Sequence, residues 1–97
     1  MNKPPKGPQW ISGPDAQHHK MYVAFGYHRV TSRLRGGRWL LTWEQWRDAW
    51  LPYWDQRGRS AEQLCMCRTD LEGDWCLNNV EIITRREHGK RIREYYK

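Results

Sequence analysis

The sequence predicts a small α+β domain, mainly helical: a Trp-rich helix plus a C-terminal strand-turn-strand-helix (ββα-like) unit, preceded by an irregular N-terminal arm. Three observations predict it. Five of the seven tryptophans, Trp39, Trp43, Trp46, Trp50 and Trp54, recur at steps of 4, 3, 4 and 4, the stripe of one helix face. Near the C-terminus, the alternating run Val80–Ile83 leads into Thr84-Arg85-Arg86-Glu87, a helix-start signature. Residues 1–14 hold Pro4, Pro5, Pro8 and Pro14 with Gly7 and Gly13, too many missing amide donors and too much backbone freedom for a regular element.

The arm is assigned to residues 1–14 and a single small domain to 15–97. Gly7-Pro8 and Gly13-Pro14 are bonds that populate both isomers when unconstrained. Behind the arm, Val23, Tyr27, Val30 and Leu34 recur at i, i+4, i+7 and i+11, and Gly36-Gly37 provides a stop, so residues 15–35 read as a helix. Gly26 and the β-branched Val23, Val30 and Thr31 leave a strand over Met21–Tyr27 as the alternative.

The tryptophan helix starts at Thr42-Trp43-Glu44-Gln45, a capping box in which the hydroxyl satisfies a free amide and the glutamine reaches back. Pro52 ends or kinks it near Leu51, so Trp54 need not continue the stripe. Asp55–Ser60 reads as a loop, and Ala61–Cys65 has room for a short helix. Leu64–Arg68 and Val80–Ile83 then form strands around the turn Asp70–Asp74, and the last helix carries Ile92 and Tyr95 on one side.

Composition bounds what such a chain does. Leu, Ile, Val and Phe number 15 in 97 residues, a poor aliphatic content for a globular domain, offset by 7 Trp and 5 Tyr. No apolar run approaches the roughly 20 residues of a membrane span, and the N-terminus has no apolar stretch of a secretory signal. Three cysteines are an odd count, which argues against a secreted disulfide framework and for a reducing cytoplasm.

The net charge of +6 is uneven. Residues 14–38 carry 5 Arg/Lys against 1 Asp, residues 84–97 carry 6 against 2, and residues 64–83 carry 1 against 4. Two basic segments around an acidic loop suit a polyphosphate, an acidic protein surface, or solvent. Candidate partner-binding residues are Trp10, Trp54 and Trp75 near loop borders, Arg57 and Arg59 beside the stripe, and Arg85, Arg86, Lys90, Arg91 and Arg93 on the last helix. Trp, Tyr and Arg dominate interface energies. Trp43, Trp46 and Trp50 are expected in the core.

Metal chemistry has one candidate set, Cys65, Cys67, Cys76 and His88, with three sulfurs and one nitrogen. C-x-C is tighter than the usual C-x(2–4)-C spacing, so the thiols read instead as small buried apolar groups, with no metal and no cofactor expected. His18, His19 and His28 fall into no triad or metal spacing and read as solvated.

The segment CMCRTDLEGDWCLNNVEIITRREHGKRI resembles the ββα-metal (HNH) nuclease motif. The resemblance implies a bracing role for Asn79 and a helix position for His88. Cys67-Arg68 stands where that family has its catalytic histidines, and Ile92 where a second helix histidine often lies. Without an imidazole base, water activation has no proton acceptor, so the chain is not expected to be an enzyme.

Over nearly its full length the chain is similar to the small anti-RecBCD proteins of lambdoid phages. The likeness rests on length, the Pro-rich start and the runs RWLLTWEQWRDAWLPYWDQRGR and CMCRTDLEGDWCLNNVEIITRREHGK. It implies a protein of the bacterial host cytoplasm that binds the RecBCD helicase-nuclease through RecC and alters DNA-end processing to favour phage DNA survival and recombination. A host prolyl isomerase at the Gly-Pro bonds of the arm is a further expected partner. The competing expectation is a DNA-binding accessory or regulatory protein on a degenerate HNH-like shape, contacting DNA through its basic helix.

Overall fold

The structure is a computed structural model that describes residues 14–97. The expectations for the arm, including Trp10 and the Gly-Pro bonds, lie outside the described residues. Helix α1 (Ala16–Leu34) and helix α2 (Trp43–Trp50) are followed by a 3₁₀ segment, Leu51–Gln56. Strands β1 (Leu64–Arg68) and β2 (Val80–Thr84) form an antiparallel pair, and helix α3 (Arg85–Tyr95) follows β2 directly. The fold is a small α+β domain, as its sequence pattern predicts.

Local signals account for the helix ends. Asp15 caps α1, its side chain accepting from the His18 amide at 2.8 Å. At the other end Gly36 adopts φ +88°, a left-handed conformation that glycine enters without a Cβ penalty. The Gly37 and Gly36 amides donate to Ser32 and Arg33 carbonyls at 2.9 and 3.0 Å, closing a Schellman motif. Met21–Tyr27 is therefore helical, not a strand. The Thr42/Gln45 capping box is complete, each bond 3.1 Å.

Two local expectations change. Ala61–Cys65 forms no helix: Cys65 lies within β1, and a Ser60–Gln63 turn precedes the strand. Backbone pairing wins there, because β1 matches β2 from Leu64↔Thr84 to Arg68↔Val80. The turn also serves α3, whose first amides, Arg85 and Arg86, donate to the Gln63 and Ala61 carbonyls at 2.8 and 3.0 Å. The second change concerns Trp39, which lies ahead of α2 and bridges Trp75 instead of extending the helix.

The core is Met21, Phe25, Trp39, Leu41, Trp46, Trp50 and Met66, with Val80 and Ile82 packed against it. Trp46 and Trp50 are 0% and 1% exposed. Their rings contact Trp54 at 6.3 Å each, so the stripe continues past Pro52 through the 3₁₀ segment. Helix α1 forms as its spacing predicts, but Val23, Tyr27, Val30 and Leu34 are all exposed. The face it buries is Met21, Phe25 and Ser32.

Candidate functional site: an arginine-lined cleft and an exposed helix face

β1 is buried at Cys65, Met66 and Cys67, with Met66 joining the aromatic core. Cys65 and Cys67 lie opposite Ile83 and Glu81 on β2. Burial pushes the Cys67 thiol up to about 11, so it stays protonated near neutral pH. Cys65, Cys67, Cys76 and His88 do not assemble: among the described residues no group of three His, Cys, Asp or Glu is placed to hold a metal.

Asn79 braces the loop between the strands. Its side-chain oxygen accepts from the Asp70 amide at 2.8 Å. Its side-chain nitrogen donates to the Asp70 and Asp74 carbonyls at 3.0 and 2.9 Å. The loop between the strands is thereby tied to the start of β2, which fixes Trp75. Trp75 in turn pairs with the 38–40 segment, donating to the Arg38 carbonyl and accepting from the Leu40 amide, both at 2.8 Å.

His28 is not solvated. Its ring meets Trp39 and Trp75 at centroid distances of 4.9 and 4.7 Å, and its Nδ1 accepts from the Trp46 indole N–H at 3.2 Å. Burial, and then the nearby Arg57 and Arg85 charges, lower its pKa to about 4, so it is neutral at pH 7.

Next to this box lies a cleft of about 710 Å³. Arg35, Arg57, Arg59, Arg68 and Arg85 line it, from the end of α1, the loop before β1, the end of β1 and the start of α3. No Asp or Glu lines it, and among the described residues none of the five guanidinium groups is ion-paired. Several are held by neutral groups. Arg57 lies over the Trp50 and Trp54 rings at 5.5 and 5.3 Å, and Arg68 over Trp75 at 5.0 Å. Arg85 donates to the Gly58 carbonyl at 2.8 Å and Arg68 to that of Gly73 at 2.9 Å.

Crowding of like charge shows in the proton affinities. Burial first, then Arg85 and Arg59, pushes the Arg57 guanidinium below its usual value. The His88 ring, also in the cleft, is lowered by burial, Arg85 and Arg91. Three buried nitrogens of cleft-lining residues, Trp50 Nε1, Arg68 Nε and His88 Nδ1, have no hydrogen-bond partner within the protein.

The expected interface residues thus divide. Arg57, Arg59, Arg85 and Trp75 meet in the cleft. Trp54 and Trp75 are both half-buried, each giving part of its ring to the aromatic cluster. Arg86 pairs with Glu62, and Arg91 bridges Glu81 at 2.6 Å and Glu87 at 3.2 Å. Lys90 and Arg93 are exposed on α3 with no ion pair among the described residues. The cleft also uses Arg35 and Arg68, which the sequence reading does not single out as binding residues. They have no local signature, because four segments distant in sequence converge there.

A second surface is apolar. Val23, Tyr27, Val30 and Leu34 are 54%, 70%, 49% and 81% exposed along one side of α1. That helix contains no acidic residue, and Lys20 and Arg33 are exposed on it. Among the described residues no helix is long and apolar enough to cross a membrane. Comparison with protein-family models, curated proteins and solved structures returned no match.

Proposed function

We propose that this chain is a phage-encoded, non-catalytic protein that binds the host RecBCD helicase-nuclease through RecC. It inhibits or modifies DNA-end processing in the host cytoplasm, favouring phage DNA survival and recombination. The observation that carries the reading is the uncovered apolar stripe of α1. Folding leaves four large apolar side chains of one helix face in water, while the core closes without them. A helix face of this kind, spaced as i, i+4, i+7 and i+11, suits a groove or helix on another protein. The surrounding positive charge favours an acidic partner surface and speeds encounter.

The chemistry of the ββα unit supports a binding role. Cys67 is a protonated buried thiol where a nuclease would have an imidazole base. Affinity purification of the tagged chain from bacterial lysate, followed by nuclease digestion and mass spectrometry, tests the reading. Stoichiometric RecBCD that survives digestion is the expected result, and DNA-dependent contaminants alone would remove it.

A DNA-binding accessory role on the ββα shape is the second reading. It is favoured by Lys90 and Arg93, exposed on α3, the helix that Arg85 begins. It predicts duplex or single-strand affinity that falls steeply with salt.

A further inference from the structure

We infer that the arginine-lined cleft is a nucleotide-phosphate site, which receives a phosphate monoester and leaves the attached base against Tyr27. The inference does not depend on the RecBCD reading.

The charge arrangement is the first argument. Five guanidinium groups from four segments converge without a carboxylate, although the chain has 11 Asp and Glu. Elsewhere Arg38, Arg47, Arg86 and Arg91 each have an acidic partner and Arg29, Arg33 and Arg93 have none among the described residues, so five of the eight arginines without an ion pair line the cleft. Gathering like charges opposes folding, and an anion that enters relieves the repulsion. Guanidinium forks match phosphate oxygens in bidentate geometry, and a dianionic monoester gains more from them than a single carboxylate.

The cleft has further features of a ligand site. Its volume falls within the range of small-molecule pockets, larger than a lone phosphate needs. Trp50, 1% exposed, lines it together with Arg68 and His88, and Trp50 Nε1, Arg68 Nε and His88 Nδ1 have no partner in the protein. The first two are N–H donors; buried donors without acceptors are costly, and phosphate oxygens are acceptors. Tyr27 is the one lining aromatic ring that is largely exposed, which suits it to stacking with a base. A carboxylate side chain brings a single charge to five guanidinium groups, whereas a nucleotide brings a dianion together with a base that can stack on Tyr27.

The phosphate has two possible sources, the 5′ end of a DNA strand or a free nucleotide. Fluorescence anisotropy with a 3′-labelled short oligothymidylate, 5′-phosphorylated or 5′-hydroxyl, tests the site on the full chain. Thymidine monophosphate and pyrophosphate serve as competitors. Tighter binding of the phosphorylated strand, displaced by pyrophosphate, is expected. If the monophosphate competes as well as the phosphorylated strand, the source is a free nucleotide; if the strand is strongly preferred, it is a DNA end.

Arg35→Gln with Arg59→Gln removes two exposed cleft charges and should weaken phosphate-dependent binding by about tenfold or more. Arg57→Lys keeps the charge and loses the fork, and should weaken it as well, with thermal unfolding confirming the fold. Arg47→Gln, outside the cleft and paired with Asp48, should leave the difference between the two strands intact. Equal affinity for both strands, or a phosphate effect untouched by the Arg35/Arg59 changes, would overturn the assignment.

Discussion

Trp46 donates its indole N–H to Nδ1 of His28 at 3.2 Å, which joins the fully buried ring of α2 to α1 through a neutral histidine. The bond requires an unprotonated Nδ1, and the same burial that holds the tryptophan keeps the imidazole neutral. Structure and charge state are therefore coupled at one contact.

That coupling predicts acid sensitivity. The folded pKa of His28, about 4, lies below the ordinary histidine value of 6.5, so between these values the unfolded chain binds the extra proton. Its contribution is complete above pH 6.5 and is lost as pH falls toward 4. The loss is on the order of 3 kcal/mol across that window. Urea unfolding at several pH values should show it, and His28→Gln should flatten that part of the profile.

Trp46 is the tryptophan most committed to the fold, at 0% exposure and in contact with Phe25, Trp43, Trp50 and Trp54. Trp46→Ala should destabilise the domain by about 3–5 kcal/mol, enough to unfold a marginal core. Circular dichroism with urea titration measures it.

Asn79→Ala removes three side-chain hydrogen bonds across the loop between the strands. The expected cost is about 2 kcal/mol, with faster amide exchange at Asp70. Gly73→Ala should act through the same brace, because a Cβ there would stand 2.7 Å from the Asn79 amide nitrogen. Hydrogen exchange resolves both.

These residues also show what was legible in the sequence. The helix starts were, since Thr42 and Gln45 carry their own signature, and Thr84 caps α3 by accepting from the Glu87 amide at 3.1 Å. Glu87 itself is drawn to Arg91, so the second box is half made. The face of α1 was not legible. Val23, Tyr27, Val30 and Leu34 share their spacing with Met21, Phe25, His28 and Ser32, and hydropathy favours the former. The rings of Trp39, Trp46 and Trp75 reverse the choice by accepting His28 as a packing partner. The cleft was hidden for a different reason, since its five arginines become neighbours through tertiary structure alone.

The outer face of α1 should tolerate polar substitution. Val30→Ser with Leu34→Ser changes two exposed residues outside the core, so stability should shift by no more than about 1 kcal/mol in total. Thermal melts of the variant against the parent check this.

The same variant also reads out docking, through the affinity of the purified chain for purified RecBCD by biolayer interferometry. A nuclease-resistant, saturable complex that Val30→Ser with Leu34→Ser weakens by more than about tenfold is expected, because buried anchors carry most of an interface's energy. No complex, or a complex indifferent to those two changes, would contradict the proposed binding of RecBCD.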